Sequence, residues 1–263
     1  MQRKQSFLSG AAILAGAVAV TKVLGALYKI PLGNLLDSQG MAHFYAAYNV
    51  YNLLLMLSTA GLPLAASRLV ARSETLGRHD QARQVFRCAL ALLGGVGLLF
   101  SALMFCLPEA MANALHDSMA AAAIRVLAPS VLCVCLTSAI RGYTQGLGDM
   151  TPTAISQVIE SACKLVVGLG LCWFLLRSGA APETGAAGAI AGVTCGTALG
   201  FLFLLWALHR CPRQHGGPVE PTGETLRQLL KIGVPITVAG GAMSLMTLLD
   251  QSLVLGSLQS RLG

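Results

Sequence analysis

Five ionisable residues lie inside stretches of the chain that are otherwise apolar. A charged side chain at the centre of a bilayer costs about 2.5 to 3.5 kcal/mol on insertion scales, so it usually faces a water-filled cavity or a group of opposite charge. The basic members favour an anionic ligand, and the acidic Asp250 is a candidate for ion coupling. The five candidate site residues are Lys22, Arg125, Glu160, Lys164 and Asp250.

Lys22 and Arg125 are expected at similar depths in the membrane. At about 1.5 Å per residue, Lys22 lies about 22 Å along an outbound first helix, and Arg125 about 10 Å along an inbound helix. Both charges would then serve one cavity in the outer half of the membrane. A structural alternative stays open, in which Lys22 pairs with Asp250 and Arg125 extends to the outer surface.

Glu160 and Lys164 are four residues apart, with the glutamate on the N-terminal side. This order favours an ion pair within one helix. The spacing therefore leaves two interpretations open, a pair that neutralises itself and two side chains that line a cavity.

The second predicted span begins with a polar, aromatic face. Helical spacing places Tyr45, Tyr48 and Asn52 on one face, with Asn49 beside them. Tyrosine at a membrane interface usually belongs to the aromatic belt, but the two asparagines favour a surface that binds sugars or head groups. Farther along the same span, residues 61–63 read Gly-Leu-Pro, which permits a bend because proline lacks a backbone N–H.

A ridge of glycines recurs every four residues in the sixth predicted span. Such a ridge lets another helix approach closely, so it indicates packing and carries no chemistry. We expect part of this ridge to remain exposed, because the chain ends soon after its seventh span. The ridge consists of Gly188, Gly192, Gly196 and Gly200.

The elements that position these residues are predicted to be membrane-spanning helices. The chain of 263 residues is 55% hydrophobic and 11% charged, whereas a soluble domain is about a quarter charged. Runs of about 20 apolar residues, enough to cross a hydrocarbon core of about 30 Å, recur along it. They predict an all-α, multi-pass membrane protein with seven spans, near residues 7–30, 41–70, 85–108, 119–146, 152–177, 184–208 and 230–258.

Basic residues fall on alternating sides of these spans and predict that the N-terminus is cytoplasmic. The net charge of +7 follows from this placement and does not indicate a nucleic-acid partner. Arg3 and Lys4, followed by an apolar run, imitate a secretory signal. Because the run continues to Ile30 and no polar domain follows, we interpret it as an uncleaved first span.

The sequence gives little support to an enzyme. It contains no phosphate-binding loop, HExxH helix or Ser-His-Asp arrangement, and its loops are too short for a soluble catalytic domain. The eight cysteines lack paired spacing and are interpreted as small apolar packing residues, with no metal or cofactor implied.

The order of the spans predicts an unequal division of the chain. Six spans lie within residues 7–208, the longest connecting segment follows at about 210–227 with Pro212, Pro218 and Pro221, and a single span comes after it at 230–258. Seven spans that start in the cytoplasm end outside it, which disfavours a seven-helix receptor of the usual outside-to-inside orientation. Because the sequence stops soon after the last apolar run, we expect it to be half of a larger protein.

Three segments combine glycine, proline and charged residues in a distinctive order. They are Thr21-Lys22-Val23-Leu24-Gly25 within Ser9 to Lys29, Gly61-Leu62-Pro63-Leu64-Ala65-Ala66-Ser67-Arg68-Leu69-Val70, and Arg141-Gly142-Tyr143-Thr144-Gln145-Gly146-Leu147-Gly148-Asp149-Met150-Thr151-Pro152-Thr153 through Glu160. Together these segments resemble the polysaccharide flippases related to stage V sporulation protein B, a branch of the multidrug, oligosaccharidyl-lipid and polysaccharide exporter superfamily. In the third segment, Gly146 and Gly148 allow a tight turn, and Thr151-Pro152 is expected to cap the next helix.

The resemblance implies a transporter of two six-helix lobes in the bacterial cytoplasmic membrane. On this basis we expect a six-helix lobe over residues 1–209, a cytoplasmic linker over 210–229, and the first helix of an incomplete second lobe over 230–263. Its substrate would be a lipid-linked saccharide pyrophosphate or peptidoglycan-type precursor, moved by alternating access for polysaccharide or cell wall synthesis. The partners implied are membrane lipids and a second lobe, supplied by a missing C-terminal half or by a homodimer. The alternative is an ion-coupled exporter of drugs from the same superfamily.

The resemblance also suggests residue roles. By its place in the matching TKVLG segment, Lys22 is the best candidate to hold the pyrophosphate, and Arg125 is added from its depth. The full set of candidate substrate-binding residues is Lys22, Arg125, Tyr48, Asn49, Asn52, Glu160 and Lys164.

Overall fold

The computed structural model describes residues 7–59, 61–114, 120–210 and 216–239, and the described part is all helix and connecting turn. This confirms the all-α prediction. In chain order the helices are α1 (Phe7–Leu35), α2 (Ser38–Thr59), α3 (Leu62–Thr75), α4 (His79–Cys106), α5 (Pro108–Ala114), α6 (Ala121–Gly146), α7 (Thr151–Cys163), a π-helical turn (Lys164–Gly168), α8 (Leu169–Arg177), α9 (Pro182–Arg210) and α10 (222–239).

Five helical units of the described chain are long and apolar enough to cross a membrane. They are α1, α4, α6, α9 and the continuous unit Thr151–Arg177, in which α7, the π-helical turn and α8 follow one another. α2 has 22 residues and so is about 33 Å long, although its histidine, tyrosines and asparagines make it less apolar. The chain is therefore a multi-pass membrane protein.

The second predicted span, 41–70, is two helices. α2 ends at Thr59 and α3 begins at Leu62, with Pro63 in the first turn of α3, where its missing N–H costs nothing. The buried Gly61 lies at this break, and a Cβ there would collide with the carbonyl oxygen of Gly233 in α10. The break thus lets α10 pack against the start of α3.

α6 is the central helix of the bundle, since it packs against α2, α3, α4 and α9. Its small and branched side chains, such as Ile124, Leu127 and Val131, are fully buried. They form one core with Tyr28 of α1 and Phe44 of α2. The core positions the helices whose other faces carry the candidate site residues.

The glycine ridge of α9 is buried, so the expectation that part of it stays exposed is wrong. A Cβ on Gly192 would collide with the backbone of Gly168 in the π-helical turn, and one on Gly196 would lie 2.6 Å from the carbonyl oxygen of Glu160. The α7–α8 unit of the same chain covers the ridge, which is why no second lobe is needed to cover it.

The turn between α6 and α7 differs slightly from its prediction. Gly148 has a φ of +84°, a conformation that favours glycine because it has no Cβ. This agrees with the expected tight turn. Thr151, however, is the first helical residue and not the cap. Its N–H donates to Asp149 Oδ1 at 3.0 Å, so an aspartate just before the helix, and not Thr151, supplies the side-chain acceptor for the first turn.

The chain after α9 folds back onto the start of α4 through a set of contacts that we call the linker clamp. Asp80 and Gly216 exchange two hydrogen bonds, from Asp80 N–H to the Gly216 carbonyl at 3.2 Å and from Gly216 N–H to Asp80 Oδ2 at 3.0 Å. The Gln81 side chain accepts from Glu220 N–H at 2.7 Å and donates to Thr225 Oγ1 at 3.1 Å. α10 therefore begins at a position fixed by α4.

Candidate functional site

The ammonium group of Lys164 lies between two tyrosine rings. Its Nζ is 4.8 Å from the ring centre of Tyr28 and 4.9 Å from that of Tyr48, and it donates a long hydrogen bond of 3.4 Å to the Tyr48 hydroxyl. A cation within about 6 Å of an aromatic face is attracted by the ring quadrupole. We call Lys164, Tyr28 and Tyr48 the lysine cage.

Three helices hold the lysine cage rigidly. The fully buried Tyr28 donates its hydroxyl hydrogen to the carbonyl oxygen of Ala189 in α9 at 3.1 Å. Tyr48 stacks on Phe44, with ring centres 5.6 Å apart and planes at 12°. Each ring therefore has a partner other than Lys164 that holds it in position.

Lys164 is the first residue of the π-helical turn, which ends at Gly168 and joins α7 to α8. Single π-helical turns inside α-helices occur frequently at functional sites. Here the turn ends at Gly168, where a Cβ would lie 2.9 Å from the Ala189 carbonyl oxygen and 3.1 Å from the Tyr28 ring. A side chain at that position would push α8 away from the helix that anchors Tyr28.

Glu160 pairs with a neighbouring helix and not with Lys164. Arg141 Nη2 of α6 lies 3.1 Å from Glu160 Oε2, and the two side chains are 16% and 28% exposed. Arg141 Nε also donates to Ser156 Oγ at 3.1 Å. The interpretation of an intrahelical Glu160–Lys164 pair is therefore wrong, because the cage and Arg141 hold the two side chains apart.

Three positive charges of the predicted site have no carboxylate partner among the residues that the structure describes. Ion pairs join Arg78, Arg83 and Arg141 to carboxylates, and His79 Nδ1 lies 2.9 Å from Glu74 Oε2. Lys22, Arg125 and Lys164 take part in none of these pairs. Lys22 and Arg125 are exposed, and neither forms a hydrogen bond or ion pair with the lysine cage.

The remaining predicted residues divide into three groups. Tyr48 is part of the cage, whereas Asn49 and Asn52 are exposed on the surface of α2. Asp250 lies outside the described residues. The single cavity predicted for Lys22 and Arg125 therefore stays a prediction.

Sequence reasoning missed Tyr28 and the role of Arg141. Tyr28 reads as one more aromatic near the end of a span, and Arg141 as one more basic residue near a turn. No spacing rule in a single sequence links either residue to α7, since the contacts join different helices. Tyr28 directly precedes Lys29, and this position gave no indication that its ring contacts Lys164.

The chain matches the sequence profile of a family described as "Polysaccharide biosynthesis protein" over residues 7–261. The chain belongs to this family. It is 27% identical to stage V sporulation protein B of Bacillus subtilis (strain 168) over 240 residues, which is 89% of this chain and 46% of that protein. It is also 26% identical to the lipid II flippase MurJ of the same organism over 179 residues, 65% of this chain and 33% of that protein.

Among solved structures, a MATE transporter in the straight conformation has the same fold. The TM-score is 0.83 at 18% identity, over 96% of this chain and 56% of that one. The resemblance to flippases of this superfamily, and the multi-pass helical fold that it implies, are therefore confirmed. The chain spans less than half the length of both relatives, so what the whole protein moves is a matter of proposal.

Proposed function

We propose that this family member forms the first lobe of a flippase for an anionic, lipid-linked saccharide. The observation that carries the proposal is the balance of charge inside the spans. Glu160 is neutralised by Arg141 at 3.1 Å, whereas Lys22, Arg125 and Lys164 have no carboxylate partner among residues 7–59, 61–114, 120–210 and 216–239. A bundle with surplus positive charge in a low-dielectric setting attracts an anion.

The lysine cage suits one part of such a substrate. A lysine ammonium has three N–H donors, of which one points to Tyr48 at 3.4 Å. The others would remain for phosphate oxygens, while the tyrosine faces hold the ammonium in position. Lys22 and Arg125 would contact further pyrophosphate oxygens, and Asn49 and Asn52 would contact sugar hydroxyls.

An exporter of cationic drugs is the alternative. It would need a carboxylate that is free to bind a cation or a coupling ion, and Glu160 is engaged by Arg141 and so does not supply one. The likeness to a MATE structure supports the fold alone. Asp250, as a coupling residue, remains part of this alternative.

The proposed protein acts in the bacterial cytoplasmic membrane with its N-terminus in the cytoplasm. Its second lobe would come from a following segment or from a second copy of the chain. We retain the proposed division into a lobe at 1–209, a linker at 210–229 and the start of a second lobe at 230–263. α10 begins within that linker and continues toward the second lobe.

The proposal is tested by ligand binding to the chain in lipid nanodiscs. The ligand is a fluorescent polyprenyl-pyrophosphate disaccharide, and a lipophilic cationic dye is the comparison. Lys164→Gln should weaken binding of the anionic ligand by about 10-fold, equivalent to about 1.4 kcal/mol. The matched control is Lys29→Gln, because Lys29 is exposed and also lies over a tyrosine ring, that of Tyr45 at 5.9 Å.

Two results would contradict the proposal. One is unchanged binding of the pyrophosphate ligand by Lys164→Gln. The other is preferential binding of the cationic dye that is lost in Glu160→Gln, which would instead support the exporter of cations.

A further inference from the structure

An open groove lies beside the start of α4, at the end of the bundle that carries the α3–α4 turn, the α6–α7 turn and the linker clamp. We call this end the basic end, because most arginines of the connecting segments are found there. The groove has a volume of about 560 Å³ and lies apart from the lysine cage. It is lined by Asp80, Arg83, Gln84, Arg87, Cys88, Ala91, Val219 and Thr222.

The groove is basic at one end and apolar at the other. Arg83 and Arg87 are four residues apart on α4 and therefore share a helix face. The continuous apolar run of α4 starts directly after them, at Cys88, and Ala91 lies one turn deeper. Val219 of the linker adds apolar surface to the opposite wall.

Among the described residues that line the groove, the one carboxylate is that of Asp80, and it already has partners. Asp80 accepts a hydrogen bond from Gly216 N–H at 3.0 Å, and its Oδ1 lies 3.8 Å from Arg83 Nη1. Arg87, by contrast, is exposed and forms no ion pair or hydrogen bond with the described residues. A free cation thus faces a groove whose negative charge is compensated.

The wall opposite α4 is held in place. The Gln84 side-chain amide donates to the Glu220 carbonyl oxygen at 2.9 Å and to Thr222 Oγ1 at 3.2 Å. The Glu220 carboxylate is occupied by Arg78 at 3.5 Å and by Gln228 at 3.0 Å. Together with the linker clamp, these contacts hold the groove open without a ligand.

We propose that this groove binds an anionic phospholipid of the leaflet at the basic end. The phosphate would lie against Arg87 and Arg83, and the glycerol and first acyl carbons would follow Cys88, Ala91 and Val219 toward the apolar run. Basic pockets between helices at the membrane surface bind anionic lipid head groups in this way. The apolar half of the groove selects a lipid over free phosphate.

The test is native mass spectrometry of the full chain with phosphatidylglycerol and phosphatidylcholine of identical acyl chains. The unmodified chain should retain phosphatidylglycerol about 10-fold better, and Arg87→Gln should abolish this preference. Arg68→Gln is the matched control, since Arg68 is exposed on α3 near the same end and does not line the groove. It should keep the preference.

A second variant blocks the apolar half without changing charge. Ala91→Trp should reduce phosphatidylglycerol retention as strongly as Arg87→Gln. If Arg87→Gln fails to fold, Ala91→Trp alone tests whether the lipid occupies the groove. Free glycerol 3-phosphate should not displace the lipid. Unchanged retention by Ala91→Trp or by a folded Arg87→Gln, equal loss in Arg68→Gln, or displacement by glycerol 3-phosphate would each overturn the proposal.

Discussion

Arg141 and Glu160 neutralise each other where α6 meets α7, and both side chains are only partly exposed. Solvent screening limits such a pair to about 1 kcal/mol. Glu160→Gln should therefore lower the free energy of unfolding by about 1 kcal/mol, because the Arg141 guanidinium loses its charged partner. Chemical unfolding in detergent measures this change.

The control for that prediction is Glu109→Gln, because Glu109 is exposed on α5. The double variant Arg141→Gln/Glu160→Gln should lose less stability than the two single variants together. Strict additivity would show that the 3.1 Å contact contributes no interaction energy.

Lys22 is exposed on α1 without an ion-pair partner among the described residues. If it contacts pyrophosphate, a charge-assisted hydrogen bond of about 1.5 to 3 kcal/mol is lost in Lys22→Ala. Binding of the fluorescent pyrophosphate ligand should then weaken by at least about 10-fold, and Lys22→Arg should retain part of it. Full binding by Lys22→Ala would remove the residue from the site, while loss of the folded protein would instead favour the structural pair with Asp250.

At the level of elements, the π-helical turn and the glycine ridge depend on each other. A methyl group at Gly192 would meet the backbone of Gly168, which cannot rotate away as a side chain can. Gly192→Ala should therefore lower the free energy of unfolding by about 1 to 3 kcal/mol and weaken ligand binding at the lysine cage. Thermal unfolding and the nanodisc binding assay measure the two effects.

Gly170→Ala is the matched control, because a Cβ there meets nothing within 4 Å. Gly170 lies in α8, in the span that packs against Gly192. Its substitution should be neutral or slightly stabilising, since alanine favours a helix more than glycine does. Equal effects of the two substitutions would mean that helix propensity, and not the close approach of α9, decides the outcome.

The elements differ in how well the sequence predicts them. Runs of apolar residues reveal the spans, because a helix needs about 20 of them to cross the hydrocarbon core. Gly61-Leu62-Pro63 marks the break between α2 and α3. The ridge of α9 indicates close packing but does not name its partner. The lysine cage could not be predicted, because Lys164 and Tyr48 are 116 positions apart and only the packing of α1, α2 and α7 brings them together.

At the scale of the whole molecule, the positions of the basic residues predict its orientation. Cysteines at Thr75, the last residue of α3, and at Glu109 in α5 should lie on opposite sides of the membrane, with Thr75→Cys in the cytoplasm. An impermeant thiol reagent applied to intact cells should label only Glu109→Cys, on a background without accessible native cysteines. Labelling of Thr75→Cys alone would contradict the predicted orientation and show that the N-terminus lies outside the cytoplasm.

One lobe should not be sufficient for transport. Alternating access in such folds rocks one bundle against another around a site at their interface, and the described residues form one bundle with α10 attached. Vesicles that contain residues 1–263 alone should bind the labelled lipid-linked saccharide without moving it across the bilayer. Vesicles with the chain extended through a following segment provide the comparison, and robust movement by residues 1–263 alone would indicate a functional homodimer.

The linker clamp also constrains the order in which the protein can mature during synthesis. Asp80, Gln81 and Gln84 leave the ribosome long before Gly216, Glu220 and Thr225, with which they form hydrogen bonds. Leu229 of α10 is likewise buried in a cluster with α3 and α4 residues such as Ala66 and Val85. These contacts of α3 and α4 therefore form only after α9 and the segment that follows it have been synthesised, so the basic end of the bundle matures later than the contacts among the first helices.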